Sequence, residues 1–523
     1  MVVRGRAAQR LVDGGADDDL ITLNERITSS TVLGGAAQDT LVVTDNSESA
    51  VFKLGDDDDS LNITGKHGSL KAKGNAGDDT FTIASGFSGS GNAFYGGKGE
   101  DSIELESTAK VAIYGDKDDD TIYIKRAKGC RLWDLDDNEY IDYRLAYGPY
   151  ILGYADERVD QAAREGMEIG GVFALATELE YEVAKKISSM VPSAELVRYS
   201  NSGTEAVMAA LRVGRAVSKR DGYIMVEGGY HGVWDAALWD IDIDEWDPEK
   251  GEPEIKSSSA GVPGITKDLV SLVPFNDADA LEDLLKKKHN EIGTLMIEPI
   301  LGNCCSISAT QEYMQAVREL CTKYDIILII DEVKTGFRVA KGGVQELYGV
   351  EADLCTFAKS IANGYPIAAL AGKEEYMRYI KYGGVLHGGT FTAHSVAISA
   401  ANKTLEILQN TDALETVANY GENLKQGISD ILSKRDIAHS FTGHPSMSGL
   451  FFSENPPTNA RDFRYSNYPF YEKLAEEMLE DGVLCEFDPR EPWFICEAHA
   501  KDAMQPTLDA FESALERTLG DES

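Results

Sequence analysis

The chain has 523 residues, with 88 Asp and Glu against 50 Lys and Arg and a formal net charge of -38. At about 100–200 residues per domain, this length allows two to four domains and a large core. A chain this acidic excludes nucleic acid and anionic membranes as expected partners, because binding to phosphates requires clustered Lys and Arg.

Residues 1–128 repeat. Gly/Asp turns lead into short apolar strands, with a leading acid at Asp19, Asp39, Asp59, Asp79, Asp101 and Asp120, spaced 20, 20, 20, 22 and 19 residues apart. Two residues after each acid comes Ile21, Leu41, Leu61, Phe81, Ile103 or Ile122, so one register persists through six units. Glycine supplies the positive φ of a tight turn, and stacking such units sets their carboxylates in one row. Hard oxygen ligands at that density suit Ca²⁺. The plainer alternative is a β-solenoid whose acids only cap turns and solvate an edge. The copies Gly74-Asn75-Ala76-Gly77-Asp78-Asp79-Thr80-Phe81 and Gly96-Gly97-Lys98-Gly99-Glu100-Asp101-Ser102-Ile103 resemble the nonapeptide repeat of calcium-binding parallel β-rolls. The expectation is a six-coil parallel β-solenoid over 1–128, with its apolar ladder inside and its six Asp facing outward as candidate Ca²⁺ ligands.

From Gly129 the texture changes. Strand-like runs at Tyr223–Val226, Thr294–Ile297, Ile326–Ile330, Leu354–Phe357 and Ile367–Leu370 are separated by amphipathic segments such as Asp279–Lys288 and Glu312–Tyr324. Strands separated by helices predict βαβ units and a mostly parallel sheet, an α/β fold. Acids outnumber bases 66 to 36 here and 22 to 14 in residues 1–128, so the acidity is a property of the whole surface.

Three places in this second part carry chemistry. The apolar run Ile326–Ile330 ends in Asp331-Glu332 at the carboxyl edge of the sheet, where open α/β sheets bind ligands, although an acid there also caps helices. Leu354–Ala358 ends in Lys359, and an enclosed lysine loses basicity and becomes a Schiff-base nucleophile. Leu196–Tyr199 runs into Ser200-Asn201-Ser202-Gly203-Thr204-Glu205 and an Ala-rich helix, Ala206–Val217. Ser202 and Glu205 form a capping-box pattern, and the same geometry offers free N–H groups to a phosphate. Tyr230 and His231 stand in a glycine-rich turn, where they either stack on a flat ring or simply pack.

Together these motifs resemble the class III, fold-type I pyridoxal-phosphate aminotransferases, most closely the glutamate-1-semialdehyde aminomutase branch. The resemblance runs from Gly129-Cys130-Arg131-Leu132-Trp133-Asp134 to the C-terminus. It rests on Asn201–Ala206, Gly229-Tyr230-His231-Gly232, Glu298-Pro299-Ile300-Leu301-Gly302-Asn303, Asp331–Arg338 and Lys359 in its Ala-Lys-Ser-Ile-Ala-Asn-Gly-Tyr-Pro setting. It implies a catalytic domain over 129–440 and a small C-terminal α+β domain over 441–523. Lys359 would form the Schiff base with pyridoxal phosphate and move the proton, and Asp331 would pair with the pyridinium nitrogen. Ser202, Gly203 and Thr204 would hold the phosphate, Tyr230 would stack on one ring face and Val333 would back the other. His231 and Asn303 complete the implied cofactor site. Thr390, in Gly388-Gly389-Thr390, aligns with a residue that reaches the neighbouring subunit's phosphate, which implies a homodimer.

The branch's N-terminal Ser-Pro-Val-Arg segment, whose arginine holds the substrate carboxylate, has no counterpart, and the repeats stand in its place. Cys304-Cys305 and Phe391-Thr392-Ala393-His394-Ser395 also depart from the family pattern in regions that shape the substrate pocket in relatives. Three functions follow. The first is amino transfer between a small-molecule amino donor and a keto acid or aldehyde. The second is intramolecular conversion of glutamate-1-semialdehyde to 5-aminolevulinate. The third is a non-catalytic, calcium-dependent scaffold. Arg198 and Arg338 are candidates for a substrate carboxylate, each with a structural ion pair as the alternative. Seven cysteines, all from Cys130 onward, form no disulfide framework, and no long apolar run or secretory leader is present, so the expected location is cytoplasmic.

Overall fold

The computed structural model describes residues 2–3, 7–8, 11–23, 26–84, 87–90, 92–98, 102–105, 112–114, 122–243, 246 and 251–520. The chain divides into two compact units, Met1–Ile124 with Asp134–Asp137, and Lys125–Trp133 with Asn138–Ser523.

The first unit consists of three parallel sheets of six, five and six strands. Their strands pair with the strand one repeat later. Ile21, Leu41, Leu61, Phe81 and Ile103 are successive partners in one sheet, and Val32, Phe52, Ala72 and Phe94 in another. In Leu20–Leu23, Thr40–Val43, Ser60–Ile63 and Thr80–Ile83 alternate residues are buried, and these join a single apolar core. Ile122 lies outside any strand and does not extend the first ladder.

The acids depart from expectation. Asp39, Asp59 and Asp79 are buried rather than outward-facing. Each accepts the backbone N–H of the acid one repeat earlier: Asp19 N to Asp39 Oδ1 (2.8 Å), Asp39 N to Asp59 Oδ1 (2.6 Å) and Asp59 N to Asp79 Oδ1 (2.9 Å). The reason is that a buried corner N–H needs an acceptor, and the carboxylate of the next repeat is the one within reach. Asp57 and Asp58 carry the exposed charge instead. Among the described residues no group of three or more His, Cys, Asp or Glu is arranged to hold a metal ion, so the calcium row finds no support there. Asp101 and Asp120 lie outside the described residues.

The second unit is built on a seven-stranded sheet. Its strands are β1 (Leu196–Ser200), β2 (Gly222–Val226), β3 (Val270–Val273), β4 (Ile292–Ile297), β5 (Ile327–Glu332), β6 (Leu354–Phe357) and β7 (Ala368–Gly372), in the order β1-β7-β6-β5-β4-β2-β3. Only β7 runs antiparallel to its neighbours. β4 and β5 are buried at every position, as strands covered on both faces must be. Helices α1 (Gly203–Ser218), α2 (Ala278–Lys288) and α3 (Gln311–Tyr324) connect the strands. The predicted runs match these elements to within a few residues, but edge strand β3 went unrecognised. Beyond the sheet, a small antiparallel sheet (Ser440–His444, Met447–Phe451, Trp493–Phe494) packs with helices Tyr468–Glu480 and Met504–Gly520. Among the described residues no helix is long and apolar enough to cross a membrane.

Candidate active site

The carboxyl ends of β5 and β6 open into a cavity of about 620 Å³. Parallel pairing sets Asp331 beside Thr356. Asp331 Oδ1 accepts from the Thr356 hydroxyl (2.9 Å) and from Val333 N (3.0 Å), and Oδ2 lies 2.8 Å from His231 Nδ1. Both Asp331 and His231 are buried. Burial works against a charged imidazole, but the hydrogen bond and charge of Asp331 outweigh it, and the basicity of His231 is raised overall. Its Nε2 has no partner. The result is a carboxylate fixed by three donors at the wall of the cavity.

Lys359 follows β6 in a left-handed conformation, φ +48°, which a non-glycine residue adopts at a cost of about 1–3 kcal/mol. Its ammonium has no hydrogen-bond or ion-pair partner among the described residues. Burial, with the nearby Lys334 charge adding to it, pulls its pKa down to about 7. A neutral amine is therefore well populated at neutral pH.

Helix α1 points its N-terminus at the cavity. Ser202 is its N-cap, with Oγ accepting from Glu205 N (3.3 Å), while the Glu205 carboxylate turns to Asn201 N (2.6 Å) rather than completing a capping box. Gly203 and Thr204 line the cavity. A Cβ on Gly203 would press on Val333 Cγ1 and Cγ2 at 3.0 Å, so the bare glycine lets the helix end approach the Val333 wall. Tyr230 and Val333 are both part of the lining. Tyr230 N donates to Glu298 Oε1 (2.8 Å), and burial foremost raises the pKa of Glu298 to about 7.

The structure also adds residues that the motifs did not single out. Tyr147, Glu298, Lys334, Glu486, Asp488 and Glu491 all face the cavity. Lys334 Nζ donates to Gly302 O (2.7 Å) and pairs with Glu491 Oε2 (3.0 Å), and Asn303 Nδ2 donates to Glu491 Oε1. Glu298 and Lys334 stood inside quoted motifs. Glu491 carried no signal, since only the fold returns the 486–491 segment to the sheet edge.

Other expectations resolve differently. Arg338 is fully buried and donates to the carbonyls of Gly148 (2.6 Å), Ser446 (3.0 Å) and Ile495 (2.8 Å), so its role is structural through carbonyls rather than an ion pair. Arg198 is exposed on β1 and does not line the cavity. Cys304 and Cys305 are buried outside the lining, and Thr390 and Phe391 are exposed away from it.

The sequence model of the class-III aminotransferases matches residues 114–511. The chain therefore belongs to the class-III aminotransferase family, whose chemistry depends on pyridoxal phosphate. It is 37% identical over 394 residues to a glutamate-1-semialdehyde 2,1-aminomutase of Methanosphaera stadtmanae, covering 75% of this chain and 91% of that one. It is 39% identical over 391 residues to the enzyme of the same name from Methanothermobacter thermautotrophicus, covering 74% and 90%. Among solved structures, an omega-transaminase from Sphaerobacter thermophilus superposes with a TM-score of 0.72 at 29% identity, covering 76% of this chain and 92% of that one. A transaminase with PLP bound superposes at 0.68 with 26% identity, covering 76% and 92%. The cavity fits that cofactor: its lining combines an amine without a partner among the described residues, a fixed carboxylate, the helix end at Gly203 and Thr204, and aromatic and branched side chains.

Proposed function

We propose that the chain transfers an amino group from a small-molecule donor to a keto acid or aldehyde, with Lys359 as the residue that bonds to the cofactor and moves the proton. The supporting observation is the buried amine of Lys359, without a partner among the described residues, in the same cavity as the triply held carboxylate of Asp331. When bound, pyridoxal phosphate supplies a conjugated ring that accepts electron density from the substrate carbon. Asp331 would hold the proton on the ring nitrogen, with Thr356, Val333 N and His231 keeping the carboxylate in place. Lys359 Nζ takes the proton from the substrate carbon and returns it at the neighbouring position. Gly203, Thr204 and the Ser202 cap would bind the phosphate with backbone N–H groups, hydroxyls and the positive helix end. Tyr230 and Val333 would flank the ring, and His231, which holds Asp331, and Asn303 would complete the wall of the cofactor site.

Glutamate-1-semialdehyde mutation is the second reading, favoured by the identity to the archaeal aminomutases. A purified enzyme that turns over only when a keto co-substrate is added is a transaminase. One that converts its substrate alone is an aminomutase.

The active form is a homodimer in which Thr390 of one copy meets the phosphate of the other. Its support is the exposure of large apolar side chains, including Leu175 (79% exposed), Leu386 (86%) and Phe391 (64%), which a second copy would cover. For residues 1–128 the reading is a parallel β-solenoid, followed by a catalytic domain over 129–440 and a small domain over 441–523. The 20-residue pairing offset supports the solenoid, whose Asp row is stitched by N–H bonds. Ca²⁺ there would have to compete with those bonds. The enzyme would work in the cytoplasm.

A further inference from the structure

A substrate that carries a carboxylate needs a cation facing the cavity, and the wall offers few. Five acids, Glu298, Asp331, Glu486, Asp488 and Glu491, line it against two ammonium groups, Lys334 and Lys359. Lys359 is reserved for the cofactor. Arg338 spends its guanidinium on three carbonyls, and Arg198 is exposed elsewhere. Arg144 pairs with Glu486 (2.8 Å) and is not part of the lining.

We infer that Lys334 binds the carboxylate of the amino substrate, which makes the donor an amino acid rather than a simple amine. Lys334 follows Asp331 by three residues on the same turn, so one strand end delivers both the partner of the cofactor and the anchor for the substrate. Its side chain is only 4% exposed and lies across Gly302, where a Cβ would come within 2.1 Å of its Cδ. Gly302 thus makes the room for the lysine stem. The ring of Phe494 lies 5.7 Å from the ammonium. Two of the three N–H donors are used, on Gly302 O and Glu491 Oε2, and one remains. Glu491, itself held by Asn303, keeps the buried charge neutralised when no substrate is present. The surrounding acids repel a carboxylate everywhere else, so this one ammonium decides where it sits.

The inference rests on the cavity being the amino-transfer site, and the test separates the two. Holoenzyme is mixed with 2-aminobutanoate or with 2-aminobutane, and the half-reaction is followed through the absorbance of the bound cofactor. Lys334→Met and Lys334→Gln should weaken apparent binding of 2-aminobutanoate by roughly tenfold to a hundredfold, the worth of a hydrogen bond to a charged group. Removing the charge beside Lys359 and Glu491 should slow both donors to some extent, so the readout is the ratio of the two: the variants should lose at least about tenfold more on 2-aminobutanoate than on 2-aminobutane. Lys334→Arg should restore most of the amino-acid affinity. Equal losses on both donors, or no loss on either, would overturn the assignment, as would a wild type that prefers the amine. A wild type that takes up no cofactor refutes the reading beneath, and the anchor with it. Variants that retain the cofactor band are folded at the site, so the comparison remains decisive.

Discussion

The two halves of this chain bury charge for opposite purposes. In the catalytic unit, Lys359 is enclosed without a partner and loses basicity, and Asp331 is surrounded by donors that keep one face open. In the repeat unit, Asp39 and Asp59 give one oxygen to the preceding repeat's backbone while Oδ2 has no partner among the described residues, and burial foremost raises their pKa, that of Asp59 to about 6. The same desolvation makes a nucleophile in one place and a staple in the other. What separates them is access: Lys359 faces a cavity, whereas the Asp row faces a core. A perturbed group therefore signals chemistry only when a ligand can reach it.

The comparison breaks most easily at Lys359. Lys359→Ala should lower turnover by at least about 10⁴-fold and abolish the absorbance of the lysine-bound cofactor, while leaving the repeat unit's calorimetric transition unmoved. Activity within an order of magnitude of wild type would remove the lysine from the mechanism. Asp331→Asn should retain the cofactor and lose about 10²–10³-fold in kcat, because an amide cannot hold the ring proton. A few-fold change would reject that role.

The two regions should also answer pH in opposite directions. The pKa of Lys359 is lowered from 10.5 to about 7, so uptake of pyridoxal phosphate by the cofactor-free protein should accelerate about tenfold per pH unit until about pH 7 and then level off. Its contribution to stability rises between about pH 7 and 10.5, where the unfolded lysine holds more protons than the folded one. Asp59 is raised from 3.8 to about 6, so its contribution is present at low pH and is lost as pH climbs through that window. Calorimetry of the full chain should accordingly show the repeat transition moving down from pH 4 to pH 7 as far as Asp59 governs it. Asp59→Asn should flatten that trend and raise the transition at pH 7 by a few degrees. A chelator should leave it in place, and a calcium-dependent shift would restore the metal to the row. The smallest effect is expected at Thr390. Thr390→Ala should weaken cofactor retention by about tenfold. Light scattering should still report a dimer, and an active monomer would refute the shared site.

Much of this was readable beforehand, for definable reasons. Ile326–Ile330 and Leu354–Phe357 announce buried strands because both faces of a parallel sheet are covered, and their terminal residues Asp331 and Lys359 then fall at the ligand edge. The repeat register was legible because a side-chain period of two leaves no freedom once one face is buried. Two things were hidden. The inward turn of Asp39 and Asp59 follows from corner N–H groups that need acceptors, which composition does not display. The Lys334–Glu491 pair joins residues 157 positions apart and exists only once the C-terminal segment has folded back.

The corner bonds of the repeats have a direction: each backbone N–H is satisfied by the carboxylate of the following repeat. The repeats of Asp39 and Asp59 thus each present the same donor on one side and the same acceptor on the other, like identical bricks. The pairing offset widens from 20 residues at Ile63↔Ile83 to 22 at Lys66↔Ser88 and Lys71↔Ala93, yet the paired faces keep their alignment. A gene segment encoding one whole brick could be duplicated or deleted without designing a new joint. Copy number is then the variable that this architecture leaves free for evolution to adjust.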